Sequence, residues 1–102
     1  MIAYEVTVDV QEELVDRFMA YMRQRHIPDI LATGCFAHAE LTRASETRFR
    51  QRFLAKSLGD LEGYLERHAP ALRADYAVEF PSGTLVSREI WEEIQRWPEP
   101  RK

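Results

Sequence analysis

Hydrophobic and polar positions along the chain change period four times. Ile2, Tyr4, Val6, Val8 and Val10 alternate with Ala3, Glu5, Thr7 and Asp9, the period of two that marks a half-buried strand. Leu14, Val15, Phe18, Tyr21 and Met22 then recur at spacings of three and four, with Glu12, Glu13, Asp16, Arg17, Arg23 and Gln24 elsewhere. This is an amphipathic helix whose acids gather in its first turn, where the helix dipole favours them. Pro28 is expected to break it near His26 or Ile27, because the residue before a proline avoids the helical region. Asp29 to Thr33 could add one more turn, and Gly34 is placed to end it.

Phe36 to Ala44 and Thr47 to Lys56 read as two strands joined by Ser45-Glu46, the length of a tight hairpin, although Ser-Glu suits the preferred turns poorly. With that loop, Thr42 lies opposite Phe49 and His38 opposite Phe53. Arg43, Arg48, Arg50 and Arg52 then share the other face with Ala37, Ala39 and Leu41. Ser57, followed three residues later by Asp60, is a capping signal ahead of Leu61, Tyr64 and Leu65. His68-Ala69-Pro70 reads as a break and restart, proline being favoured at a first helical position. Leu72, Tyr76 and Phe80 would be the apolar stripe of a short helix. Pro81-Ser82-Gly83 is a turn, and Thr84 to about Trp91 is a last strand. The order βαββαβ predicts a four-stranded antiparallel sheet, strand order 4-1-3-2, with helices on one face. Tyr4, Val6, Val8, Phe49 and Phe53 are expected to pack against Phe18, Met22, Leu61 and Leu65. Residues 1–97 form one expected domain and 98–102 a loose tail.

Composition narrows the classes. The 102 residues are 45% hydrophobic and 30% charged, with 17 acids against 14 bases, an ordinary globular mix without the strong basic excess of nucleic-acid binders. A single cysteine, Cys35, cannot form an internal disulfide, so nothing argues for an oxidising compartment. It reads as a small core or edge residue rather than a nucleophile. The first residues enter a strand pattern without a leader-like apolar stretch, and no run approaches the length of a membrane helix. A cytoplasmic location, with no membrane partner, is the expectation. The four glycines are isolated, so no phosphate loop is present, and His26, His38 and His68 lack zinc-site spacing. No metal and no cofactor are expected.

The run Arg48-Phe49-Arg50-Gln51-Arg52-Phe53 invites an RNA-binding reading. Phe49 and Phe53, however, share one parity and the arginines the other. If the phenylalanines line the core, only arginines reach the open face, and no nucleic-acid partner is expected.

His26-Ile27-Pro28-Asp29-Ile30-Leu31-Ala32-Thr33-Gly34 and the stretch Leu61 to Arg73, with Ile2 to Val8, resemble a family of small bacterial proteins known as domain of unknown function 4286. The resemblance covers nearly the whole chain. It implies a ferredoxin-like α+β fold of the dimeric α/β-barrel type, and it brings no catalytic residues with it.

Candidate chemistry is sparse. His26 and Asp29 flank Pro28 and could form a His-carboxylate pair, or simply serve the helix ends. His68 stands at the second break, with Arg73 nearby. His26, Asp29, His68 and Arg73 are therefore the candidate ligand-binding residues, bordering a shallow polar site where helix ends offer free backbone groups. Glu5, Arg50 and Arg52 are the candidate dimer-face residues, since an uncovered sheet face carrying both charges can meet its symmetry mate. The functional expectation is a homodimeric module that binds a small ligand or a protein and performs no catalysis. The alternative is a cofactor-independent enzyme resembling the dimeric α/β-barrel monooxygenases or small isomerases. Two convergent polar groups of perturbed protonation in a pocket would favour that alternative.

Overall fold

A computed structural model describes residues 1–99; residues 100–102, the end of the expected tail, lie outside the described residues. Strand β1 (Ile2–Val10) leads through a short 3-10 turn (Glu12–Leu14) into helix α1 (Val15–Tyr21). A π-helical segment (Met22–His26) then runs directly into α2 (Ile27–Ala32). Strands β2 (His38–Arg43) and β3 (Arg48–Ala55), helices α3 (Leu58–Arg67) and α4 (Ala69–Glu79), and strand β4 (Thr84–Glu92) complete the chain. The strands pair antiparallel in the order β2-β3-β1-β4. The fold is thus ferredoxin-like α+β, as the periodicities indicate. Among the described residues no helix is long and apolar enough to cross a membrane.

The core forms where the even face of β1 meets the helices. Tyr4, Val6, Val8 and Val10 are buried there beside Phe49 and Phe53 of β3. Phe18, Met22 and Leu61 are fully buried in the same cluster, with Leu65 at its margin. Helix α3 starts where its cap requires: the Ser57 hydroxyl accepts the Asp60 amide at 3.1 Å, which satisfies one of the otherwise free amides of the first turn.

Two local expectations need correction. The first is the hairpin register: Arg43 pairs with Phe49, Thr42 with Arg50 and His38 with Leu54, one step away from the tight-loop alignment. Ala44 N–H bonds to Arg48 O at 2.9 Å, so the loop holds three residues, Ser45, Glu46 and Thr47. A two-residue primed turn needs left-handed backbone, and the positive-φ residues among those described are Gly34 and Gly83, both glycines. The longer loop is held instead by the Ser45 hydroxyl accepting from Thr47 N–H and by Arg43 donating to the carbonyls of Ser45 and Glu46. The slip exchanges the faces of β2. Ala39, Leu41 and Arg43 turn toward the helices, while His38, Glu40 and Thr42 join Arg50 and Arg52 on the open face.

The second correction concerns Pro28, which does not break the helix. The Ile27 amide bonds back to Met22 O, five residues earlier, and Ile27 stays helical at φ −66°, ψ −45°. One wide turn makes room for a proline ring that would otherwise meet the carbonyl four residues before it. The break at His68 is there, at φ −119°, and the restarted helix α4 runs for 11 residues with Leu72 and Tyr76 packed against the core.

Candidate functional site

A small cavity of about 30 Å³ lies between the helices and the middle of the sheet. Its floor is one rung of the sheet: Val6 of β1 is flanked by Gln51 of β3 and by Arg88 of β4, with Val8 and Val86 alongside. Its roof is His26 from the π segment and Arg73 and Tyr76 from α4. His26 follows Phe18 and Met22 at spacings of four, which keeps it on the helix face that meets the sheet.

Gln51 is the anomaly of this core. It is 2% exposed, between Phe49 and Phe53 on the inward face of β3, and its Oε1 finds no hydrogen-bond partner in the protein. His26 Nδ1 is likewise buried without a partner. Buried polar groups are nearly always paired, and an unpaired one costs about 1–3 kcal/mol. Two such atoms belonging to residues that line one cavity form a pattern rather than an accident of packing.

The surroundings set the protonation of each group. Burial pushes His26 down to about 4, partly opposed by Asp29, so the imidazole is neutral at neutral pH. Its ring stacks on Tyr21 at 5.5 Å and lies 5.7 Å from Tyr76. Burial raises Tyr76 above the usual phenol range, and its hydroxyl bonds to Thr84 Oγ1 at 2.9 Å. Arg73 donates to the Tyr4 hydroxyl at 3.0 Å. Arg73 and Arg88 are both exposed at the residue level, so each carries its charge from the cavity wall toward water. The arrangement combines a small cavity lined by two residues with buried, unpartnered polar atoms and two guanidinium groups beside it.

Of the four residues singled out from the sequence, His26 and Arg73 line this cavity. Asp29 is exposed and reaches the site only through its charge on His26. His68 stands apart from the lining and stacks on Tyr64, with ring centres 6.4 Å apart. The two helix breaks therefore do not form one symmetric site. Gln51, Tyr76 and Arg88 went unrecognised, yet the signal was present: Gln51 shares the parity of Phe49 and Phe53, and Arg88 that of Val86 and Ile90. A polar residue at an inward position of a buried strand calls for an explanation.

Glu5, Arg50 and Arg52, the candidate dimer-face residues, lie together on the face of the sheet opposite Val6 and Phe53. Glu5 lies 3.7 Å from Arg50 and 3.2 Å from Arg52, and Arg52 reaches Glu40 at 3.4 Å. Glu40 stands 3.8 Å from His38, and Arg48 pairs with Asp9 at 3.0 Å. Leu85 and Trp91 project from β4 on the same face and remain largely exposed. Among the described residues no group of histidine, cysteine and carboxylate side chains is placed to hold a metal.

Solved structures with this architecture span nearly the same length. SnoaB from Streptomyces nogalater, described as a cofactor-independent oxygenase, superposes with a TM-score of 0.71 at 11% identity, covering 96% of this chain and 97% of its own. A dimeric ferredoxin-like protein from an uncultured marine organism gives 0.75 at 8% identity, covering 96% and 98%. HapK from Hahella chejuensis gives 0.74 at 10% identity, covering 99% and 100%. Identities this low show a common fold and nothing finer. No match is found among the curated proteins. Residues 1–94 match the family described as "Domain of unknown function (DUF4286)", and the chain belongs to that family.

Proposed function

We propose that this protein is a homodimeric module that binds a small molecule at the cavity formed by His26, Gln51, Arg73, Tyr76 and Arg88. The observation that carries this reading is that Gln51 Oε1 and His26 Nδ1 are both buried without a hydrogen-bond partner, on two residues that line the same space. A core selected only for stability would place an apolar side chain at position 51. Chemical-shift mapping with a panel of small acids, alcohols and phenols tests it. Responses should converge on the amides of Val6, Gln51 and Tyr76, and a panel without any such response would overturn the binding reading.

The homodimer rests on the open face. Its charges of both signs and exposed Leu85 and Trp91 suit pairing with a second copy about a two-fold axis, and two of the similar structures are described as dimeric. Sedimentation at micromolar concentration should report a dimer.

A second reading is favoured by one observation: His26 and Tyr76 converge on the cavity with protonation displaced in opposite directions. Such pairs mark sites of proton transfer, and similar folds include proteins described as an antibiotic biosynthesis monooxygenase and a cofactor-independent oxygenase. Oxygen uptake with electron-rich phenols, lost on His26→Gln substitution, would establish it. No uptake over such a panel would leave binding alone.

A further inference from the structure

The cavity's size and the placement of its charges restrict what it can take. This inference rests on the binding reading above and names its ligand class. A cavity of about 30 Å³ has room for one or two water-sized groups, so the space that Gln51 lines admits a hydroxyl or a similar small polar group and not a whole metabolite. Gln51 Oε1 is an acceptor and needs a donor. Neutral His26 offers one ring nitrogen as donor and one as acceptor, so its Nδ1 can complement the same group in either sense. The rest of a ligand must therefore lie outward, past the side chains at the cavity's edge. Two of those are guanidinium groups, Arg73 from α4 and Arg88 from β4, approaching from the helix layer and the sheet. Planar guanidinium forks match carboxylates better than any other anion-binding side chain. The nearby opposing charges are Asp29 and Asp75 on the helices beside His26, which disfavour an anion deep in the site and leave the Arg73–Arg88 edge as its place.

We infer that the site takes a small hydroxycarboxylate, its hydroxyl inserted beside Gln51 and His26 and its carboxylate held between Arg73 and Arg88. The hydroxyl supplies the donor that the Gln51 amide lacks, and the carboxylate stays solvated at the rim, where charge is cheap to hold. The ligand thus spans the cavity mouth rather than filling a closed pocket.

The test is an NMR titration of the full chain with 2-hydroxypropanoate, propanoate and propane-1,2-diol. The wild type should bind the hydroxy acid about tenfold more tightly than propanoate, the worth of one buried hydrogen bond. Gln51→Leu should erase that ratio while leaving weak carboxylate binding. Arg88→Gln, at an exposed edge position that the core does not need, should weaken both acids and leave the diol unaffected. If Gln51→Leu fails to fold, the Arg88→Gln comparison alone decides. Diol or phenol binding at Val6, Gln51 and Tyr76 without any acid binding would overturn the hydroxycarboxylate while the cavity reading stood. No response there to any of the three, nor to the wider panel, would overturn both.

Discussion

Replacing Gln51 by leucine should make the protein more stable. The side chain is 2% exposed and its carbonyl oxygen has no partner in the protein, a state that costs about 1–3 kcal/mol. Leucine is of similar size and meets Val6 and Leu41 across the strands and Phe49 and Phe53 along its own. Its branched end adds apolar burial at about 0.8 kcal/mol per methylene, against a shape mismatch that costs under about 1.5 kcal/mol. The net expectation is a gain of about 1–2 kcal/mol, equivalent to a rise in Tm of roughly 4–8 °C for each kcal/mol in a domain of this size. Urea unfolding followed by far-UV circular dichroism measures it, with a higher midpoint at unchanged slope as the expected result. A loss of about 1 kcal/mol or more would refute the reasoning. It would mean that the amide is already satisfied within the fold and that its polarity serves structure. A gain would place Gln51 among residues retained at some cost to stability for the sake of a site.

Three further outcomes follow from the same geometry. Phe53→Ala, at a fully buried ring in contact with Tyr4 and Phe36, should destabilise by about 3–5 kcal/mol in the same assay; a change under about 1 kcal/mol would invert the assignment of sheet faces. Stability should fall as pH drops from about 6.5 to about 4, because unfolded His26 gains a proton there while the folded ring, desolvated by burial and repelled by Arg88 against the opposing pull of Asp29 and Asp75, resists it. At about 1.36 kcal/mol per pH unit, the loss attributable to this group is roughly 3 kcal/mol; His26→Gln should flatten that part of the profile, and an unchanged profile would show that the ring titrates freely. Sedimentation of the Arg52→Glu variant should show a weakened dimer, since the exchange adds an acid beside Glu5 and Glu40 on the open face and removes the cation that pairs with both; a monomeric wild type would return those ion pairs to ordinary solvation.

Strand and helix order were legible in the sequence because each element carries its own period over several residues. What escaped was set by single-residue events. The hairpin register turned on whether two or three residues close the loop, and no residue in Ser45-Glu46-Thr47 fixes a turn type. The π turn arose from a contest between Pro28 and the packing of Met22 and Ile30. Periodicity cannot resolve that contest, because the proline rule describes the residue before it and not the helix that can widen to keep it. His26 and Arg73 stand at or near the two expected breaks, and they line one cavity for another reason: His26 follows Phe18 and Met22 at spacings of four on the face that meets the sheet, and α4 is long enough to bring Arg73 over β1. His68, chosen on the same ground, faces the aromatic cluster at Tyr64 instead. Gln51 and Arg88 were readable as interruptions of inward stripes. The eye follows the arginines around Gln51, which advertise an open face and hide the polar residue on the other parity.

Ring-nitrogen NMR of the three histidines, recorded with and without 2-hydroxypropanoate, tests the site most directly. The expected result is a neutral His26 ring down to pH near 4 whose Nδ1 resonance shifts on addition of the hydroxy acid, while His38 and His68 stay in place. A His26 ring that titrates near the ordinary histidine pKa, with no response to that acid or to the wider panel of acids, alcohols and phenols, would contradict a ligand site at this cavity.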